Sequence, residues 1–264
     1  MNMCYHSFVK FQKMLFMPDS RNFLYGSIAF CCALVLALPE WGRTGFFSFL
    51  YYGLVYMGVF FHEIGHTIFM WFYGIPTLPI FDFKYGGGYS VSVAARSWPA
   101  QIVVWVALAY GLYSIRDRLH PIALYPLIGF CGLFGLIGLS DFYEDIILFM
   151  GHGAQAVLGG FMLARGFYAV FLVRPSERWL NVFVGAFFIF DQIKMCHSLL
   201  YDADYKMQYD YQKGGHGMGD LSRIAGNHDG WTQNGVTIFL MVFTIAMAVV
   251  IPAIIGWLAR RDEE

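Results

Sequence analysis

His62, Glu63 and His66 stand in "GVFFHEIGHTIFMWFYG", residues 58–74, a stretch that is otherwise almost wholly apolar. Residues four apart on a helix share one face, about one turn from each other. Both imidazoles can therefore reach one point. Zinc takes nitrogen, sulfur and oxygen ligands in a tetrahedron, and a catalytic zinc site leaves one position for water. A bound zinc lowers the pKa of that water toward about 7. Glu63, next to the first histidine, is the residue placed to take its proton. The plainer alternative is a hydrogen-bonded pair of structural histidines near a membrane interface. On the most lenient scale a charged group at mid-bilayer costs about 2.5–3.5 kcal/mol, so polar residues on adjacent turns need a reason, and a metal is one.

Two histidines do not complete a zinc site, so a third ligand is expected. Four residues are open to that role. Asp229 lies in "AGNHDGW" just before an apolar run, where Asn227, Asp229 and Gly230 suit a turn leading into a helix. There it serves as a ligand or as a helix cap. His228 is its neighbour and can replace it. Asp220, in "GHGMGDLSRIAG", is a cap or a ligand. His152, in "FMGHGAQ", is a histidine in an apolar stretch with Asp141, Glu144 and Asp145 nearby. Asp191, Lys194 and His197 also fall at helical spacing, and Asp191 with Lys194 reads as an internal ion pair.

The elements that must carry these residues are apolar helices. Of 264 residues, 58% are hydrophobic and 13% charged, against roughly 45–50% and about 25% in soluble domains. Mean hydropathy is +0.54. This composition predicts an all-α polytopic membrane protein. Runs near 23–39, 46–73, 98–115, 121–139, 143–173, 179–200 and 236–258 give six or seven transmembrane helices. The fifth run holds Gly151, Gly153, Gly159 and Gly160, which predicts a bend or break. Residues 75–97 do not continue a helix. Pro76 and Pro79 interrupt, "YSVSV" alternates, and Gly86, Gly87 and Gly88 suit a turn. The expectation is a short β-hairpin at the membrane surface. Residues 1–21 form a weakly basic, amphipathic interfacial segment that stays attached, and 22–260 form a single transmembrane domain. Residues 201–235 are the longest polar segment. The 17 Lys and Arg are scattered, which argues against nucleic-acid binding. Five cysteines without CxxC spacing argue against a disulfide framework or a cysteine zinc site.

With these residues in view, the chain resembles the site-2-protease family of intramembrane zinc metalloproteases. That family carries HExxH in a membrane helix, with a Gly-Ile or Gly-Val step some residues on. "HEIGHTIFMWFYGI" has Gly74-Ile75 in that place. The family's second motif, Asn-Pro-Asp-Gly at the start of a later membrane helix, is similar to "NHDG", Asn227–Gly230, with His228 in place of proline. A glycine-bearing hairpin after the motif helix is also family-like. The resemblance implies one zinc ion held by His62, His66 and Asp229, with Glu63 as general base. It implies an endopeptidase that cuts a membrane-embedded protein segment in or near the bilayer.

Other classes use the same residue types. A metal-dependent membrane hydrolase acting on a lipid or small amide needs a groove open to acyl chains. A transporter places His, Asp and Glu in mid-membrane but often shows internal repeats, and none is present here. A non-catalytic relative binds membrane clients without cutting them.

Overall fold

The structure, a computed structural model, describes residues 20–38, 45–82, 87–116, 121–170, 172, 174, 177–211 and 218–261. Residues 1–19 of the interfacial segment and Gly86 of the hairpin turn lie outside the described residues. The helices are α1 (Ser20–Ala37), α2 (Ser48–Phe72), α3 (Trp98–Ile115), α4 (Pro121–Ile137), α5 (Tyr143–Tyr168), α6 (Glu177–Tyr201), α7 (Ala203–Tyr211), α8 (Asp220–Gly226) and α9 (Gln233–Arg261). Between α2 and α3 lie β1 (Thr77–Asp82) and β2 (Gly87–Ser92), an antiparallel pair with Thr77 opposite Ser92 and Phe81 opposite Gly88. The protein is mostly helical with one small sheet.

Three helices are long and apolar enough to cross a bilayer: Tyr143–Tyr168, Glu177–Tyr201 and Gln233–Ala259. That is fewer, among the described residues, than the six or seven expected. One physical reason is dilution. Helix α2 has 25 residues, but His62, Glu63, His66 and the tyrosines Tyr51, Tyr52 and Tyr56 lower its hydropathy. Among the described residues α1 and α4 also hold the apolar stretches Leu24–Ala37 and Leu127–Ile137. Helix α9 leaves Phe239, Val242 and Val249 exposed, an apolar surface suited to hydrocarbon.

Contacts divide the chain into two compact units. The first draws its described residues from Met1–Gly58, Gln155–Asp202 and Ile238–Glu264. In it α1 packs along α6, with Phe30 edge-on to Phe190 at 4.9 Å. Lys194 Nζ donates to the Ala37 carbonyl at 2.9 Å and to Tyr51 Oη at 3.2 Å, and lies 3.4 Å from Asp191. The Asp191–Lys194 pair is thus formed, and it also closes the C-terminal end of α1. The later glycines of α5 serve packing. A Cβ at Gly160 would lie 2.4 Å from the Met247 carbonyl of α9. Helix α5 is continuous from Tyr143 to Tyr168, so the expected break is not formed, and its glycines admit neighbouring backbone and rings.

The second unit comprises Val59–Ala154 and Ala203–Thr237. Its core is Phe69, Tyr73, Ile147 and Met150, with Phe134 and Tyr143 packed on it. Gly65 brings α2 against α5, where a Cβ would meet the Met150 carbonyl at 2.2 Å. Helix α2 ends at a glycine in the left-handed region. Gly74 has φ +77, its N–H donates to Trp71, and the Ile75 N–H reaches back to Met70 at 2.8 Å. This closes the last turn and turns the chain into β1. Trp71 Nε1 then donates to the Thr77 carbonyl at 2.9 Å, holding the strand to the helix it has left. The hairpin is formed as expected over 77–92, but its glycines act differently. Gly87 and Gly88 belong to β2 rather than to the turn.

The Gly65 contact sets how closely α2 and α5 approach. Gly65→Ala is expected to destabilise the protein by about 1–3 kcal/mol, the usual range for overpacking. Thermal unfolding in detergent should show a lower melting temperature; an unchanged one would mean the helices are not pressed together there.

Candidate metal centre

His62 and His66 lie on the same face of α2, and both are buried. Their rings meet edge to face at 4.6 Å, with Nε2 of one 3.0 Å from Nε2 of the other. The His66 ring is held by its other nitrogen. Nδ1 is 2.7 Å from the Ile147 carbonyl of α5. A carbonyl only accepts, so Nδ1 carries the hydrogen and, in the neutral ring, Nε2 carries a lone pair. A backbone hydrogen bond of this kind orients a metal-binding histidine and fixes its tautomer. Room for the rings comes from Gly151, one turn beyond Ile147. A Cβ there would stand 2.4 Å from His66 Nε2 and 2.6 Å from His62 Cε1.

A third group reaches the same point from outside α2. Asp220, the first residue of α8, is buried and places Oδ2 3.1 Å from His62 Nε2 and 3.5 Å from His66 Nε2. Ligand atoms around a tetrahedral ion with bonds of about 2.0–2.2 Å stand roughly 3.3 Å apart. The three separations of 3.0, 3.1 and 3.5 Å match that pattern. The proton count points the same way. With both rings neutral, one hydrogen on His62 Nε2 can face either His66 or Asp220, and leaves another pair of acceptors turned toward each other. Positive charge at that point, from a metal ion or a second ring proton, satisfies all three.

Two more residues complete the cluster. The Glu63 carboxylate is buried, with Oε1 4.0 Å from His62 Nε2. Strand β2 lies against it. Ser90 Oγ donates to Glu63 Oε2 at 3.1 Å, and a Cβ on Gly88 would meet Glu63 Cγ at 2.5 Å. His152 is buried with its ring 4.3 Å from that of His62. The groups His62–Glu63–His66 and His62–His152–Asp220 each bring ligand atoms within 4.8 Å of one another and could hold a metal ion.

Of the residues singled out in the sequence, His62, Glu63, His66, His152 and Asp220 therefore come together. Asp229 does not join them. It is exposed in the turn between α8 and α9, and among the described residues it belongs to no such group. His228 turns to another partner, with Nε2 2.5 Å from Asp145 Oδ2. Gly151, the Ile147 carbonyl and Ser90 escaped the sequence reading. Only Gly151 left a trace there, as one of the glycines expected to bend or break the fifth apolar run.

Comparison of the chain with protein-family models, with curated proteins and with solved structures finds no match.

The geometry separates the two aspartates. In protein purified with zinc supplied, Asp220→Ala and His66→Ala are expected to lose the metal, while Asp229→Ala keeps it. Gly151→Ala, which drives a methyl into the imidazoles, is expected to weaken binding by about tenfold or more while helix content by circular dichroism is kept. Metal analysis per chain reads all four. Loss with Asp229→Ala and retention with Asp220→Ala would reverse the assignment.

Proposed function

We propose that the protein is a zinc-dependent endopeptidase that hydrolyses a peptide bond of a membrane-protein segment in or beside the bilayer. The observation that carries the proposal is a buried glutamate beside three converging ligand atoms. His62 Nε2, His66 Nε2 and Asp220 Oδ2 lie within 3.5 Å of one another, and Glu63 Oε1 is 4.0 Å from the first. The donor set of two imidazoles and a carboxylate is one that zinc accepts in catalytic sites, leaving a position open.

When bound, the zinc ion would supply a Lewis acid that acidifies water and polarises a carbonyl. His62, His66 and Asp220 would hold it. The remaining work belongs to the chain. Glu63 takes a proton from the attacking water and delivers it to the leaving amine nitrogen as the C–N bond breaks. The Ser90 hydroxyl, hydrogen-bonded to Glu63 Oε2, turns the carboxylate and keeps Oε1 on the side of His62.

Strand β2 supports a peptide rather than a lipid as substrate. A membrane helix hides its carbonyls in its own hydrogen bonds, so a scissile segment must be unwound and held extended. Among the described residues the sheet has two strands, and β2 passes over the glutamate at Gly88 and Ser90. An extended segment added to such an edge gains backbone hydrogen bonds. Three helices long and apolar enough to cross a bilayer support a substrate met in or beside a membrane.

The test is cleavage of single-span model substrates reconstituted with the purified protein in vesicles. Cleavage is expected to require zinc and to stop with chelator. Glu63→Gln is expected to keep its zinc and lose cleavage by about 10²–10⁴-fold, the contribution of general acid–base catalysis. Full cleavage by that variant would end the proposed mechanism, and release of fatty acid from the vesicles would point to a lipid hydrolase.

A further inference from the structure

Asp220 is a buried carboxylate on a helix of only seven residues, Asp220–Gly226. So short a helix does not hold its own position. Something must fix it against the histidines, and two polar ties are present at its ends.

At its C-terminal end the chain enters the turn Asn227–Gly230, and this turn is bolted to the first turn of α5. Asp145 of α5 is buried. Asn227 Nδ2 donates to Asp145 Oδ1 at 2.8 Å, and His228 Nε2 lies 2.5 Å from Asp145 Oδ2. Both carboxylate oxygens are thus used by adjacent residues of one turn. The His228 ring is also stacked on Phe142 at 5.0 Å and 17° and lies 4.6 Å from Trp231. Asp145 belongs to the same helix as Ile147, whose carbonyl orients His66, and Gly151, which makes room for both imidazoles. At the N-terminal end of α8, Ser222 Oγ donates to Asp210 Oδ1 of α7. Gln233 Nε2 donates to the same Asp210 oxygen at 3.0 Å and to Ser222 Oγ at 2.7 Å. The Leu221 N–H donates to Tyr209 Oη at 3.3 Å.

We infer that Asp145, Asn227 and His228 form a latch that holds Asp220 at the imidazole pair, so that the turn 227–230 positions a metal ligand instead of supplying one. These are positioning residues; among the described residues none belongs to either group that could hold a metal ion. The inference rests on Asp220 being a ligand, as in the proposed function. One helix, α5, then registers both halves of the ligand set. It orients His66 through Ile147 and Asp220 through Asp145. A shift of the turn by part of an ångström would be carried along two turns of α8 to the carboxylate.

The experiment measures zinc affinity of the full chain in detergent by competition with a chromophoric chelator, with cobalt(II) absorption as a second readout of ligand geometry. His228→Ala and Asp145→Asn are each expected to weaken zinc about 10–100-fold, the usual effect of losing a group that orients a ligand. The double variant should be no weaker than the more affected single one, because the two residues act as one tie. His228→Gln, whose side-chain amide can donate to the same carboxylate, is expected to recover much of the loss. If His228→Ala does not fold, Asn227→Ala, which removes only one bond to Asp145, is expected to weaken zinc in the same direction. Loss of metal in Asp220→Ala together with wild-type affinity and cobalt spectrum in His228→Ala and Asn227→Ala would overturn the latch alone. Wild-type zinc in Asp220→Ala would instead remove the ligand assignment on which both readings stand.

Discussion

The hydrogen bond from His66 Nδ1 to the Ile147 carbonyl is the contact on which the cluster depends. In a helix the Ile147 carbonyl also faces the N–H of residue 151. Residue 151 is a glycine, and its missing side chain is what lets an imidazole reach that carbonyl from α2. A Cβ at this position would occupy the space of His66 Nε2. One glycine thus fixes the ring's position, its tautomer and the direction of its lone pair. Gly65, on α2, does the reciprocal service by admitting the Met150 carbonyl. Two helices so close can set imidazoles with the precision that ligand geometry demands.

Much of this was legible in the sequence, and the reason is local. The helix runs were read from apolar length and from Pro and Gly punctuation, which act over a few residues. The run expected at 98–115 is α3 at Trp98–Ile115, and the run at 121–139 is α4 at Pro121–Ile137. The hairpin was readable from Pro76, Pro79 and the alternation in "YSVSV". His62, Glu63 and His66 were readable because their spacing alone places them on one helical face. What failed to read was tertiary. Asp229 has a local motif and Asp220 has none. Only the path of α7 and α8 through the polar segment 201–235 decides which carboxylate arrives. Likewise a glycine that bends a helix and a glycine that admits a ring look alike until the neighbouring helix is known. Fewer helices than apolar runs have the length and hydropathy of a span, in part because the polar residues of α2 dilute that helix.

The arrangement of charge explains why the ligands need so much scaffolding. Asp220, Glu63 and Asp145 are all buried carboxylates in one compact unit. An ionised carboxylate away from water is costly unless it is paired and hydrogen-bonded. Asp145 is paired by Asn227 and His228, and Glu63 accepts from Ser90. Asp220 faces two imidazole nitrogens, one of which offers a lone pair. A cation held between them would pair with that carboxylate.

A helix of seven residues that carries a buried carboxylate toward two imidazoles is easily displaced unless other contacts hold it. The ties at Asp145 and Asp210 oppose this, because moving α8 would strand buried polar groups on α5 and α7. The residues that could hold a metal ion are therefore kept together by bonds among other groups, and in the proposed site binding need not order a loop. Preorganisation of this kind is where a metal site draws its affinity. Strand β2 is tied to α2 in the same way, by the Ser90 hydroxyl, whose one hydrogen is shared between the carboxylate and the backbone carbonyl of Glu63.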